Sequence, residues 1–193
     1  MANEWDKYAK TWENEQATSE FASHVFEQLT QLTNLKGKHV LDFGCGTGLL
    51  SHKMSSIAKD IVALDSSEAM IEQLDMKELV NVEPVVDELT RGLVAQHPAF
   101  RNQFDVVVAS SVCGFLPSFS ETADVIYSIL DSEGIFVHWD WLTEQDEDYG
   151  LTHTKVEQVL TSVGFDSVTV SKAFEIKTEH GVQSVVMGVG QKK

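Results

Sequence analysis

The sequence predicts an α/β protein: a mostly parallel, doubly wound sheet of seven strands with a reversed final strand and an N-terminal helical cap. Three observations predict it. Short apolar runs alternate with segments of helical period, as in a parallel sheet covered on both faces. A glycine-rich turn joins the first such run to the helix after it. The last two runs are separated only by KTEHGV, and a parallel crossover needs about a dozen residues or more, so these two strands form an antiparallel hairpin.

Each element has its own signal. In residues 1–33, the cap, Trp5, Tyr8 and Trp12 stand at helical spacing, and Phe21, Val25, Phe26, Leu29 and Leu32 follow one helical face, so two helices are expected. Residues 34–193 form one structural unit. His39–Phe43 is an apolar strand, and Leu49–Ala58 carries Leu50, Met54 and Ile57 on one side of a helix. Ile61–Leu64 is the second strand. Ser66 is expected to cap the next helix, which carries Met70, Ile71 and Leu74, with Glu68 where the helix dipole favours an acid. Val82–Val86 is a strand, Leu89–Gln96 a helix, and Phe104–Ala109 a buried strand. A helix at Glu121–Leu130 ends in the turn DSEG before the strand Gly134–Trp139. The helix His153–Val163 ends at Gly164, which suits a left-handed cap, and strands follow at Val168–Ile176 and Val182–Val189. The arrangement is Rossmann-like.

Whole-chain properties narrow the function. A chain of 193 residues suits one domain with a sizeable core. No apolar run approaches the roughly 20 residues of a membrane helix, and MANEWDKYAK lacks the apolar stretch of a signal peptide. Cys45 and Cys113 lie far apart and form no metal-spaced cluster, so no metal centre and a reducing, cytoplasmic setting are expected. The net charge of −16 opposes a long nucleic-acid partner; it reads first as solubility and alternatively as a preference for cationic small molecules.

Residues 40–51 read VLDFGCGTGLLS. A dinucleotide loop is G-x-G-x-x-G, but here Gly44, Gly46 and Gly48 alternate and a leucine fills the expected third glycine position. Asp42, two residues before the loop, opposes a pyrophosphate and suits a cation. Asp65 ends the second strand, where a carboxylate can accept hydrogen bonds from both hydroxyls of a ribose. These features ask for a nucleoside with a ribose, no pyrophosphate and a cationic tail. S-adenosylmethionine (SAM) has all three properties.

DFGCGTG followed by ALD resembles the class I SAM-dependent methyltransferases, and the resemblance spans nearly the whole chain. It implies that Asp42, Gly44, Gly46 and Gly48 hold the methionine part of SAM and Asp65 its ribose. Ser66 and Met70 are expected to flank the adenine, with Asp87 and its neighbour Glu88 at the adenine amino group. Ser110 is expected beside the methionine part, and Ser111, Cys113 and Phe115 to face cofactor or acceptor. The segment YAKTW resembles a lid, with Tyr8 and Trp12 closing over SAM. Met70 reads equally as core, Asp87 and Glu88 as a solvated turn, and Tyr8 and Trp12 as packing. Cys45 reads as a small loop residue.

After the fifth strand, HWDWLTEQDEDY overhangs the substrate side. His138 reads either as a general base or as a buried strand histidine. Trp139 and Trp141 read as packing. Asp140, Glu144, Asp146, Glu147 and Asp148 form an acidic loop, either a solvated turn or an attraction for an amine; His153 is a remote candidate. The chain lacks the Asn-Pro-Pro-Tyr-type motif of amino-methylating enzymes and an acid cluster for a catechol-binding metal. The expected function is therefore methyl transfer from SAM to a small molecule. An NAD(P)-dependent oxidoreductase and a SAM-binding protein without transfer are the alternatives.

Overall fold

A computed structural model of the chain describes residues 4–145 and 149–193. After the cap helix α1 (Gln16–Leu32), strands and helices alternate: β1 (His39–Phe43), α2 (Leu49–Ser55), β2 (Asp60–Asp65), α3 (Glu68–Asp75), β3 (Val82–Val86) and α4 (Arg91–Gln96). There follow β4 (Phe104–Ser110), α5 (Phe119–Ile129), β5 (Leu130–Leu142), β6 (Gly150–Leu151), α6 (His153–Val163), β7 (Ser167–Thr178) and β8 (Gly181–Gln191). The sheet order is β3-β2-β1-β4-β5-β8-β7. The first five strands run parallel, while β8 is antiparallel to both β5 and β7. The seven-stranded sheet with a reversed final strand is thus present. It gains an eighth, two-residue strand, β6, paired to the end of β5, too short to carry any periodicity.

Strand residues alternate between two cores. Leu41, Phe43, Val62, Leu64, Val107 and Phe136 face one side with residues of α4, α5 and α6. Val40, Val106, Val108, Val137 and Trp139 face the other with α1 and α2. This alternation is the two-residue period of a strand. It also fixes the polar side chains: Asp42 shares the face of Val40, toward α2, whereas His138 and Asp140 share that of Phe136. The strand order turns at β1 and β4, so their carboxyl ends open the crevice in which such sheets bind ligands.

Three expectations change at local level. Residues 4–14 form no α-helix but two 3₁₀ turns, Glu4–Lys7 and Trp12–Asn14. Hydrogen bonds Tyr8→Trp5, Thr11→Tyr8 and Asn14→Thr11 repeat every third residue, a period that stacks residues three apart on one face. Ser67, not Ser66, caps α3: its hydroxyl accepts the Met70 N–H at 3.2 Å. Ser66 is exposed. Helices α2 and α4 are shorter than expected: after Ser55 the chain leaves the α-helix through a turn in which Ile57 N–H donates to Met54 O, and Leu89 precedes the Thr90 cap of α4.

Gly188 pairs directly across from His138, and a Cβ there would lie 2.3 Å from His138 Nε2 and 2.6 Å from Val156 Cγ1. Both neighbours are buried and cannot yield. Gly188→Ala should therefore cost about 1–3 kcal/mol, as overpacking does, read as a lower urea midpoint; an unchanged midpoint would show that the core around His138 is loose.

Candidate functional site

The glycine loop runs from the end of β1 into α2 with all three glycines at positive φ: 67° at Gly44, 54° at Gly46 and 81° at Gly48. Side chains are excluded for different reasons. A Cβ on Gly44 would meet Val112 Cγ2 at 2.3 Å, and one on Gly48 would meet Leu74 Cδ1 at 2.3 Å. A Cβ on Gly46 would meet only Trp12 Nε1, at 3.7 Å. The outer glycines thus allow the loop to pack, and the middle one bares backbone under Trp12. Gly44 and Cys45 N–H both donate to Leu64 O, at 2.8 and 3.1 Å, tying the loop to β2.

Two carboxylates stand at this loop. Asp42 is buried, and its Oδ2 accepts the Ser51 hydroxyl of α2 at 2.6 Å. Burial raises its carboxyl to about 6 against the opposing Ser51 bond, with the Asp65 charge adding to the rise. Asp65 Oδ2 accepts the Gly46 N–H and Oδ1 the Ser67 N–H, each at 2.8 Å. Its carboxyl is also raised, by burial first and by the nearby Asp6, against those two bonds. The Ser66 backbone also bonds to this carboxylate, and of its roughly four acceptor sites about one is left for a ligand hydroxyl.

Residues 4–15 lie over the loop as a strap. The Ser67 hydroxyl donates to Asp6 Oδ1 at 2.5 Å, and the Thr47 hydroxyl to Glu13 Oε1 at 2.7 Å. Lys77 Nζ reaches the same Glu13 oxygen at 2.6 Å. Burial alone would raise Glu13, but the bonds from Lys77 and Thr47 hold it below the usual value. Trp5 packs against Tyr8 at 6.2 Å, Trp12 at 6.0 Å and Phe115 at 5.2 Å between ring centres. Of the expected lid residues, Trp12 therefore stands at the glycine loop, whereas Tyr8 packs on Trp5, half-exposed under a cation–π contact from Lys7.

Other candidates divide. Met70 is buried in α3 and gives its backbone N–H to the cap. Asp87 and Glu88 are exposed at the end of β3; Asp87 N–H donates to Asp65 O at 3.1 Å, which brings this turn to the cleft. Ser110 ends β4, and Ser111 turns the chain with a φ of 60°. Phe115 is partly exposed beside Trp5. Cys45 is buried in the loop, its thiol toward Gly46 O, and burial raises its pKa; burial likewise raises that of Cys113.

His138 is buried between the rings of Phe119 and Phe136, with Nδ1 2.7 Å from Asp140 Oδ2. It sits in the core away from solvent, as a strand histidine does. Asp140 is also buried and turns inward, rather than joining an acidic surface loop. Cys113, His138 and Asp140 thereby form a buried cluster of potential ligand atoms within 4.8 Å, which the sequence spacing did not suggest. Trp139 and Trp141 are packing residues, Trp139 donating to Gln28 at 2.8 Å and Trp141 edge-on to Phe21. Glu144 is exposed, and His153 faces Val170 O on α6. Asp146, Glu147 and Asp148 lie outside the described residues.

Sequence reasoning missed Asp6, Glu13, Ser51, Ser67 and Val112. The four polar ones act on partners 9 to 64 positions away, and no local pattern signals such a pairing.

The buried Asp42 makes stability depend on pH. Its folded value, about 6, lies above the ordinary 3.8, so folding favours the protonated form. The cost of burying the charge is absent below the unfolded value and complete above the folded one, so stability falls as pH rises through that window. Two pH units correspond to about 3 kcal/mol. Relative to Asp42→Asn, the wild type should therefore gain stability in urea melts between pH 7 and pH 4, by about 1–3 kcal/mol; a constant difference between the two proteins would refute it.

Residues 14–169, most of the chain, match the family model described as a methyltransferase domain. A ubiquinone biosynthesis O-methyltransferase of Paraburkholderia phymatum is 30% identical over 106 residues, which is 52% of this chain and 43% of that protein. The ribosomal protein L11 methyltransferase of Helicobacter hepaticus is 34% identical over 80 residues, 41% of this chain and 25% of that protein. The chain thus spans less than half the length of either relative. Among solved structures, the DhpI–SAM–HEP complex has a TM-score of 0.73 at 19% identity, covering 95% of this chain and 93% of that one. Magnesium protoporphyrin IX methyltransferase ChlM of Synechocystis PCC 6803 with bound SAM has 0.68 at 19% identity, covering 90% and 80%. Such distant likenesses carry the fold, and the family match over most of the chain carries the kinship: the chain belongs to the methyltransferase-domain family.

Proposed function

We propose that the protein transfers a methyl group from SAM to a small-molecule acceptor. The observation that carries this reading is one cleft in which a left-handed glycine loop lies between two carboxylates, the buried Asp42 and the partly buried Asp65. That donor set fits SAM: backbone close enough for a ligand chain, a carboxylate for an ammonium group, and another with acceptor capacity left for a ribose hydroxyl. The SAM complexes of DhpI and ChlM support it by fold. Bound there, SAM supplies an electrophilic methyl on a sulfonium.

The chain's own residues then orient and enclose. Gly44, Gly46 and Gly48 give backbone to the methionine part, with Asp42 behind its amino group. Asp65 accepts a ribose hydroxyl. Ser66, Met70, Asp87 and Glu88 flank the adenine, and Ser110 borders the methionine part. Tyr8 and Trp12, in a cap of residues 1–33, close over the donor, while Ser111 and Phe115 border the acceptor. Alignment of acceptor and methyl in such a water-poor site supplies about 7–11 kcal/mol of barrier reduction without any base. A small acceptor is supported by the net charge of −16, which repels a nucleic-acid backbone. No helix of the described residues is long and apolar enough to cross a membrane, and Cys45 and Cys113 are unpaired, which fits a cytoplasmic setting.

Calorimetric titration tests the reading. SAM and S-adenosylhomocysteine (SAH) should bind and NADH should not, and Asp65→Ala should weaken SAH by about 1.5–3 kcal/mol, the worth of charge-assisted hydrogen bonds. Binding of NADH alone would transfer the cleft to the oxidoreductases. Appearance of SAH from SAM with a mixture of small-molecule acceptors would separate transfer from mere binding.

A further inference from the structure

We propose that Asp140 is a positioning residue for methyl transfer: it anchors the 113–115 turn that latches the N-terminal strap over the glycine loop. The mechanistic half of this proposal rests on the donor-site reading of the cleft, and the structural half stands without it.

Asp140 is a carboxylate inside a sheet core, 1% exposed, where an apolar side chain would pack at less cost. It is retained there with three partners. Oδ1 accepts the Gly114 N–H at 2.9 Å, Oδ2 lies 2.7 Å from His138 Nδ1, and the Cys113 thiol also bonds to it. Two of the three belong to one short turn, the 3₁₀ segment Cys113–Phe115. His138 holds the carboxylate from behind, itself fixed between Phe119 and Phe136.

The turn is held from the other side as well. A Cβ on Gly114 would meet Tyr149 O at 3.0 Å and Gly150 N at 3.1 Å, so the turn is wedged between Asp140 and the backbone before β6. Ser111 reaches it through a left-handed φ of 60°, a conformation that persists where surroundings enforce it. Two apolar side chains project from this fixed segment toward the cleft. Val112 covers Gly44, and Phe115 stands edge-on to Trp5 of the strap. Trp5 packs on Trp12, and Trp12 stands over Gly46. A contiguous path of contacts thus joins Asp140 to the strap through Gly114 and Phe115.

Limited trypsin digestion reads the strap directly, because Lys7 and Lys10 lie in it and cleavage follows the population of the open strap. Lys177, at the far end of β7, reports global unfolding. In the ligand-free protein, Phe115→Ala and Asp140→Ala should each speed cleavage after Lys7 and Lys10 by about fivefold to tenfold, the worth of one aromatic pair. Cleavage after Lys177 should not change. The double variant should be no faster than either single, since both remove the same contact. Asp140→Asn keeps an acceptor for Gly114 and loses the oxygen that faces His138 Nδ1; it should fall between wild type and Asp140→Ala. Should Asp140→Ala fail to fold, Asp140→Asn decides the matter alone: strap cleavage at the wild-type rate overturns the proposal. So does an unmoved strap in Phe115→Ala, a multiplicative double variant, or equal acceleration at Lys177.

Titration with SAH keeps the two readings apart. SAH should shield Lys7 and Lys10 in the wild type and shield them less in the Asp140 and Phe115 variants. SAH binding with equal shielding in all variants overturns the role in transfer. Strap release in the variants, with no SAH binding by the wild type, sinks the donor-site reading and leaves the anchor standing.

Discussion

The site depends on one carboxylate. Asp65 ends β2 and takes a backbone N–H from the glycine loop on one oxygen and one from the start of α3 on the other. Backbone donors in left-handed or pre-helical conformations have no partner inside regular structure, and leaving them unpaired in a half-buried cleft is costly. By accepting both, Asp65 fixes the loop after β1 relative to the helix after β2. The shape of the cleft floor follows from that relation, as does the placing of Ser67, whose hydroxyl then reaches Asp6 of the strap.

A second constraint is the accumulation of negative charge. Asp42, buried, and Asp65, partly buried, stand on the same floor, and the strap adds Asp6 beside Asp65. Among the described residues, Glu13 is the one of these acids that pairs with a lysine, Lys77. Asp42 is raised by burial and further by Asp65, so the floor is electrostatically incomplete without a positive group. A cationic ligand with a hydroxyl relieves both the charge and the free acceptor site. The same loop would receive a pyrophosphate against this field, so charge and glycine spacing exclude a dinucleotide for independent reasons.

Much of this was legible in the sequence because it is encoded locally. The apolar runs of β1, β2 and β4 and the short KTEHGV connection specify a parallel sheet ending in a reversed strand, since strand period and crossover length are properties of neighbouring residues. Gly44, Gly46 and Gly48 are legible because positive φ restricts residue type. Asp65 is legible because it ends β2, and Asp42 because it stands one residue before the end of β1, at the carboxyl edge of a parallel sheet. The N-terminal aromatics were legible as a set but not as a shape: spacing of three and four residues is shared by α-helix and repeated 3₁₀ turn, and their partners, Phe115 and the glycine loop, are remote in sequence.

The sequence alone thus determined the fold class, the ligand-facing loop and the two acids beside it, all properties of short segments read against the strand and helix periods. Tertiary structure alone decided which way side chains of ambiguous role would turn. His138 and Asp140 lie two residues apart on β5 and share a face; whether that face looked toward the cleft or the core depended on how α5 and β8 packed around them. Packing turned both inward: of the two readings of His138 the buried strand histidine holds, and Asp140, read as part of an acidic loop, became the support of a turn. No local pattern carries that outcome, because it arises from contacts between residues brought together only when the sheet closes.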